Sequence, residues 1–166
     1  MTKTATLRVE ARGEREIVMT REFDAPRALV YEALTTPALI RRWLGVMEGW
    51  SMTACEVDLR VGGAYRYQWK GPGGIEMGMG GVYREIVPNQ RIVSTEKFDE
   101  SWYPGDAVGT AELIEKGRRT TLTTTILYSS RDARDAVLKS PMESGVAKGY
   151  DQLDAVLASR RAGGAA

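Results

Sequence analysis

The chain has 166 residues, of which 43% are hydrophobic and 27% charged, and its net charge is +1. These values are typical of a single globular domain. Positive and negative side chains are interleaved, so no basic patch points to nucleic acid or to an anionic membrane surface. We therefore expect neither nucleic acid nor a membrane as a partner.

Membrane spans and secretory signals are not indicated either. No apolar run approaches the ~20 residues that a spanning helix needs, and the polar N-terminus lacks the apolar core of a secretory signal. Cys55 is the only cysteine, which excludes an intrachain disulfide, and its neighbour Glu56 favours a buried, unreactive thiol. A chain with this cysteine usage predicts a cytoplasmic protein.

The sequence contains no histidine. This excludes Ser-His-Asp and Cys-His catalysis and the usual histidine-bearing zinc and iron sites. Proton transfer would have to come from a carboxylate, lysine, tyrosine or cysteine with a shifted pKa. We therefore expect no metal and no cofactor, and the composition lowers the expectation of an enzyme.

The N-terminal part of the chain predicts a strand followed by two short helices. Residues 1–13 are polar and predict either a flexible segment or an edge strand. Alternation over residues 14–23 predicts a half-buried strand. Asp24 or Ala25 then caps a first helix, and the threonine and proline at residues 36–37 begin a second one.

The middle of the chain predicts a run of strands joined by turns rich in glycine, proline and asparagine. The strand over residues 64–70 has the clearest alternation, with Tyr65, Tyr67 and Trp69 on one face. The other strands are predicted over residues 52–60, 76–87, 91–98, 110–115 and 119–128.

The C-terminal segment predicts two helices in series. Ser130 caps the first, and Ser140 followed by a proline begins the second. The second helix carries an apolar stripe at helical spacing, formed by Met142, Val146, Tyr150, Leu153 and Leu157. Because the rest of the chain is mostly β, this stripe must pack against a sheet.

These elements predict an α+β fold with an antiparallel sheet of about six or seven strands, two short helices after the first strand and a long C-terminal helix. We expect one domain over residues 14–160. The N-terminal segment, residues 1–13, precedes it, and a disordered tail over residues 161–166 follows.

Four segments resemble a known family. Residues 17–26 (IVMTREFDAP) and 36–43 (TPALIRRW) resemble the start of bacterial proteins related to the activator of the heat-shock-protein-90 ATPase. Residues 55–65 (CEVDLRVGGAY) and 81–88 (GVYREIVP) resemble further motifs of that family. The resemblance extends in the expected order from about residue 14 to residue 157.

The resemblance implies the helix-grip fold of the START-like (SRPBCC) superfamily, in which a curved antiparallel sheet holds a long C-terminal helix. It also implies a hydrophobic cavity between helix and sheet, used for lipids, polyketides, hormones or other apolar small molecules. Members of this short bacterial type mostly lack an assigned activity. The chaperone-activating role of the eukaryotic namesake depends on a further domain, for which this chain leaves no room.

We predict that aromatic and thioether side chains of the sheet and the long helix line this cavity, because such groups suit an apolar pocket with a few polar handles. The alternative is that the same side chains fill a solid core. The predicted ligand-binding residues are Trp43, Tyr65, Tyr67, Trp69, Met79, Tyr83, Glu96, Phe98, Met142, Val146 and Tyr150.

Glu96 is the candidate polar anchor or general base. Strand alternation places it on the same face as Ile92 and Phe98. Desolvation there would raise the pKa of its carboxyl unless Arg21 or Arg66 pairs with it. The alternative is a glutamate that a register shift or a bulge leaves exposed.

The phase of the strand that contains Tyr83 is ambiguous. Val82 with Ile86, and Tyr83 with Val87, compete for the inner face. The sequence leaves both phases open.

The leading function is non-catalytic binding of an apolar small molecule. A first alternative is a cyclase- or hydrolase-like enzyme that uses Glu96. A second is a protein-interaction module acting on a chaperone, for which the mixed surface charge offers no obvious patch. The sequence leaves the oligomeric state open, including a homodimer.

Overall fold

Eight β-strands and four α-helices form in the part of the chain that the computed structural model describes, residues 6–45, 47–100, 103 and 105–163. The strands are β1 (Arg8–Arg12), β2 (Glu16–Phe23), β3 (Ser51–Val57), β4 (Ala64–Lys70), β5 (Glu76–Val87), β6 (Arg91–Phe98), β7 (Ala107–Lys116) and β8 (Arg119–Leu127). The helices are α1 (Arg27–Thr35), α2 (Pro37–Trp43), α3 (Arg131–Leu138) and α4 (Met142–Gly163).

All eight strands belong to one sheet in the order β1-β2-β8-β7-β6-β5-β4-β3. Each neighbouring pair is antiparallel. Strands β3 to β8 follow one another across the sheet in chain order. The last strand, β8, pairs with β2, which brings the N-terminal hairpin next to the C-terminal strand. Helices α3 and α4 therefore leave the sheet beside β2.

Hydroxyl groups cap the two C-terminal helices, as the sequence predicts. The Ser130 hydroxyl accepts a hydrogen bond of 3.0 Å from the Ala133 amide at the start of α3. The Ser140 hydroxyl accepts one of 3.2 Å from the Met142 amide at the start of α4. Helix α1 differs from the prediction, because Pro26 occupies its cap position and no side chain accepts a capping bond there.

The half of the molecule formed by β1, β2, β7, β8, α3 and α4, which we call the α4 half, has a filled aliphatic core. Ile17 and Phe23 of β2, Leu122 of β8, and Leu153 and Leu157 of α4 have exposed fractions of 1% or less. Full burial of such side chains contributes roughly 1.5–3 kcal/mol each. This packing holds α4 against β2 and β8.

A buried arginine adds a polar connection between β2 and α4. Arg21 is only 2% exposed, and its Nη1 lies 3.3 Å from Oδ1 of Asp151 on α4. Its guanidinium carbon lies 5.0 Å from the ring centroid of Phe23, a cation–π geometry. Arg21 is therefore already paired within the α4 half.

The other half of the sheet, strands β3 to β6, has an inner face of aromatic rings, and we call it the tyrosine half. Tyr65 and Tyr83 are buried there with Ile92. The ring centroid of Tyr65 lies 5.2 Å from that of Tyr67 and 5.5 Å from that of Tyr83. Aromatic pairs at such distances stabilise the face by about 0.5–1.5 kcal/mol each beyond their area.

A register shift in β5 resolves the phase ambiguity at Tyr83. The pairing of β5 with β6 shifts between Tyr83 and Glu85. Tyr83 is buried on one side of this irregularity, and Ile86 packs against the same cluster on the other side. Both competing phases are therefore used, one on each side of a bulge.

The predicted α+β helix-grip layout is confirmed, with eight strands within the described residues rather than six or seven. Strand β3 ends at Val57 rather than at residue 60, because the following loop turns to pair with β4 and β5: the Asp58 amide donates to the Ala64 carbonyl and the Gly62 amide to the Tyr83 carbonyl. Strand β7 begins three residues before the predicted start at residue 110.

The chain ends differ in part from the prediction. Strand β1 realises the edge-strand alternative for the N-terminal segment. Helix α4 continues to Gly163, so the first three residues of the predicted disordered tail are helical. Residues 1–5 and 164–166 lie outside the described residues. No helix of the described part of the chain combines the length and apolar character needed to cross a membrane.

Candidate functional site

A cavity of about 190 Å³ lies between the tyrosine half of the sheet and the helix pair α1–α2. Strand β7 and one residue of β8 complete its wall on the side of the α4 half. Most of the lining is aliphatic or aromatic. The lining residues are Leu34, Trp43, Leu44, Tyr65, Tyr67, Met79, Tyr83, Ile92, Ser94, Glu96, Gly109, Thr110, Ala111 and Thr124.

Two tryptophan hydrogen bonds fix the helix side of the cavity. The Trp43 indole Nε1 donates to the Ala33 carbonyl at 2.9 Å, which links the end of α2 to α1. The Trp69 indole Nε1 donates to the Leu44 carbonyl at 3.1 Å, which links β4 to the end of α2. These bonds hold the α1–α2 pair over the sheet without filling the space beneath it.

The sheet side of the cavity is built by strand alternation. Tyr65 and Tyr67 lie two residues apart on β4, so both side chains point to the inner face. The Tyr65 hydroxyl donates a hydrogen bond of 2.7 Å to the Thr95 carbonyl. The hydroxyls of Tyr67 and Tyr83 make no hydrogen bond to any described residue, so both can serve a ligand.

Glu96 is the one charged residue of the lining within the described chain. It is half-buried on β6. Burial raises the pKa of its carboxyl from 4.5 to about 7, because a low-dielectric surrounding disfavours the charged form. The two arginines that the sequence offered as partners are engaged elsewhere: Arg21 pairs with Asp151, and Arg66 pairs with Asp99.

Tyrosines close to Glu96 stay protonated at neutral pH. Burial raises the pKa of Tyr83 to about 12, and burial followed by the charge of Glu96 raises that of Tyr103 to about 12. The pKa of Tyr67 is raised well above its ordinary value, mainly by burial. These phenols therefore act as neutral hydrogen-bond donors or acceptors rather than as bases.

Six of the eleven predicted binding residues line this cavity: Trp43, Tyr65, Tyr67, Met79, Tyr83 and Glu96. The three residues of α4 do not. Met142 and Val146 pack against the core of the α4 half, and Tyr150 is buried beside Phe23, with ring centroids 5.6 Å apart. The cavity thus lies under α1–α2 and not under the stripe of α4, because that stripe packs closely against β2 and β8.

Trp69 and Phe98 line a second, larger cavity of about 420 Å³ on β3 to β6. Its lining also includes the exposed residues Thr53, Gln68, Glu76, Asp99 and Glu100. Five of its eleven lining residues are polar or charged, so an apolar molecule would find fewer apolar contacts there than in the smaller cavity. The smaller cavity is therefore the better candidate site despite its size.

Gly109 is the most informative lining residue that the sequence reasoning missed. It lies between Ala107, which is fully buried, and Ala111 on the inner face of β7. A Cβ atom at Gly109 would find its nearest neighbours, Oε2 of Glu96 and the Ser94 carbonyl oxygen, 4.0 Å away. The run of small residues at alternate positions is the signal that could have identified this gap.

Comparisons with known proteins identify the family and support the fold. The family model described as "Activator of Hsp90 ATPase homolog 1-like protein" matches residues 24–158. A crystal structure of a Rhodobacter sphaeroides protein is 31% identical, with a TM-score of 0.86, and the match covers 92% of this chain and 98% of that one. A Chromobacterium violaceum protein is also 31% identical, with a TM-score of 0.73 and coverage of 86% and 96%.

The structure of a Mycobacterium smegmatis protein is 22% identical, with a TM-score of 0.81, and the match covers 93% of this chain and 97% of that one. At this identity the match shows the shared fold alone. Among curated protein sequences, none matches the chain. The family model spans most of the described residues, and it agrees with the resemblance found in the four sequence motifs. The chain therefore belongs to the Activator of Hsp90 ATPase homolog 1-like protein family.

Proposed function

We propose that the 190 Å³ cavity binds an apolar small molecule about the size of one or two rings. The proposal rests on one observation: a mostly apolar space persists beneath α1–α2 although the neighbouring α4 half is filled. Cavities of about 150 Å³ bind benzene, whereas drug-sized ligands occupy roughly 300–1,000 Å³. The size therefore favours a compact ligand over a long-chain lipid or a polyketide.

Binding of toluene, followed by titration calorimetry or by NMR shifts of Met79 and Ala111, tests this proposal. We expect saturable binding by the unmodified protein. Gly109→Leu should abolish it, because the new side chain would occupy space that lies open next to Glu96 and Ser94.

Gly145→Leu is the matched control. Gly145 is an exposed residue of α4, and an added Cβ there meets no atom within 4 Å. This variant adds the same side chain at a position outside the cavity lining, so toluene binding should be retained. Absence of toluene binding by the unmodified protein, or equal binding by the Gly109→Leu variant, would contradict the proposal.

A cyclase- or hydrolase-like activity is the second candidate, and the pKa of Glu96 favours it. A carboxyl that titrates at about pH 7 is suited to general-base catalysis at neutral pH. Hydrolysis of a one-ring ester such as phenyl acetate should then rise through pH 7 and be abolished by Glu96→Gln, while toluene binding persists. If there is no turnover, or if the substitution does not change it, the enzyme hypothesis is wrong and the binding proposal remains.

A further inference from the structure

Within the described part of the chain, Glu96 has no counter-charge in the cavity that it lines. The described lining contains no lysine or arginine. No described residue donates a hydrogen bond to the Glu96 carboxyl or forms an ion pair with it. Arg21 and Arg66, the two arginines considered as partners, lie in ion pairs with Asp151 and Asp99. An ionised Glu96 is therefore a half-buried negative charge without a partner among the described residues.

Among the residues that the structure describes, the titratable groups close enough to interact with Glu96 are all phenols. They are Tyr65 and Tyr67 of β4, Tyr103 before β7, Tyr128 after β8 and Tyr150 of α4. Each of their pKa values is raised by burial and by the charge of Glu96, so each stays neutral near pH 7. None of these groups supplies the missing positive charge.

The polarity of the site therefore discriminates between ligands by their charge. An anion would be repelled by Glu96, and a neutral apolar molecule would leave the carboxylate desolvated and unpaired, which is unfavourable. A cation would pair with it. The rings of Trp43, Tyr65 and Tyr67 border the same space, and aromatic faces attract ammonium groups.

We propose that the ligand is a small hydrophobic amine, bound as its ammonium ion by Glu96 with its apolar body against the aromatic lining. This rests on the proposed function, since it names the ligand class of the same cavity. Ser94 and Thr124 also line the cavity. Each hydroxyl oxygen can accept an ammonium hydrogen, in the case of Thr124 beside its 3.4 Å contact with the Tyr150 hydroxyl. One carboxylate and two hydroxyls match the three donors of a primary ammonium group.

Three one-ring ligands of nearly equal size test the charge preference: benzylamine, benzyl alcohol and benzoate. At pH 7.5 we expect benzylamine to bind at least tenfold more tightly than benzyl alcohol, and benzoate to bind no more than weakly. The affinity for benzylamine should rise between pH 5.5 and pH 7.5 as Glu96 ionises, because the amine stays protonated over this range. Benzyl alcohol should show no such rise.

Glu96→Gln should remove both the amine preference and its pH dependence while keeping benzyl alcohol binding. Glu10→Gln, which neutralises an exposed carboxylate of β1 far from the cavity, is the control and should change neither. If Glu96→Gln does not fold, the pH dependence of the unmodified protein still decides the question.

Equal affinities for the amine and the alcohol, or an amine preference that survives Glu96→Gln, would overturn this inference. If toluene binds but the amine has no advantage, only the amine inference fails. If neither toluene nor any of these three ligands binds, the cavity proposal fails with it.

Discussion

The two halves of the sheet use the same strand pairing but bury very different side chains. In the α4 half, Ile17, Leu122, Leu153 and Leu157 leave almost no exposed surface. In the tyrosine half, the rings of Tyr65, Tyr67 and Tyr83 stand on the inner face beside a 190 Å³ cavity. The covering elements also differ: α4 packs on the α4 half, whereas the shorter α1–α2 pair contributes to that core and also covers the cavity beside the tyrosine half.

This difference shows how one sheet can combine a filled core with an open cavity. Branched aliphatic side chains on a long helix interdigitate with a sheet and reach the density of a protein interior. Rigid rings spaced two residues apart cannot close every gap, and two short helices supply few side chains to help. We infer that the α4 half supplies most of the folding free energy and that the tyrosine half can therefore keep a void.

Truncating one core residue in each half measures this division. Leu153→Ala should lower the free energy of unfolding by about 4 kcal/mol, because Leu153 is fully buried in a filled core. Met79→Ala should lower it by only about 1 kcal/mol, since Met79 already borders empty space. Denaturant unfolding of both variants provides the values. Equal losses would show that the halves do not differ in this way.

The next largest expected effect is a pH dependence of stability that arises from Glu96, a residue of the tyrosine half. The carboxyl ionises at about 4.5 when unfolded and at about 7 when folded. Between these values the folded state binds more protons, so stability falls as pH rises from 4.5 through 7. The full loss is about 3 kcal/mol at 1.36 kcal/mol per pH unit.

Glu96→Gln should remove this loss. The variant should match the unmodified protein in stability near pH 4 and exceed it by about 3 kcal/mol near pH 8. Denaturant unfolding at a series of pH values tests the expectation. Parallel pH profiles for the two proteins would mean that Glu96 is solvated or paired in solution.

A pair of tyrosine variants predicts the smallest effect and separates structural from ligand-facing hydroxyls. Tyr65→Phe removes the 2.7 Å hydrogen bond to the Thr95 carbonyl and should cost about 1 kcal/mol. Tyr67→Phe removes a hydroxyl that bonds to no described residue, so we expect a change below about 0.5 kcal/mol. Thermal unfolding of the two variants side by side measures the difference. A larger loss of stability for Tyr67→Phe than for Tyr65→Phe would contradict the expectation.

Much of this architecture could be predicted from the sequence. The alternation of Tyr65 and Tyr67 identified the inner face of β4, and the apolar stripe through Leu153 identified α4. These features are local, since they depend on the period of one element. The alternation that places Glu96 on the same face as Ile92 is equally local, and it identified the charged residue that lines the cavity.

The location of the cavity could not be predicted, because it depends on where the helices cross the sheet. The same stripe in α4 is compatible with a helix lying over any inner strand. Contacts between distant parts of the chain, such as Phe23 against Tyr150, fix α4 over β2 and β8. Likewise, the absent side chain of Gly109 becomes a gap only when α1–α2 covers β7 from above. Such long-range relations leave no periodic signal in the chain.

The most direct test of the central claim is a crystal of the protein soaked with bromobenzene, with the bromine located by its anomalous scattering. We predict a bromine peak inside the cavity bordered by Tyr67, Glu96 and Gly109, with the apolar side chains of the α4 half unmoved. A crystal in which Tyr67 or Trp43 fills that space, with no bromine there, would contradict the proposed binding of an apolar molecule in this cavity.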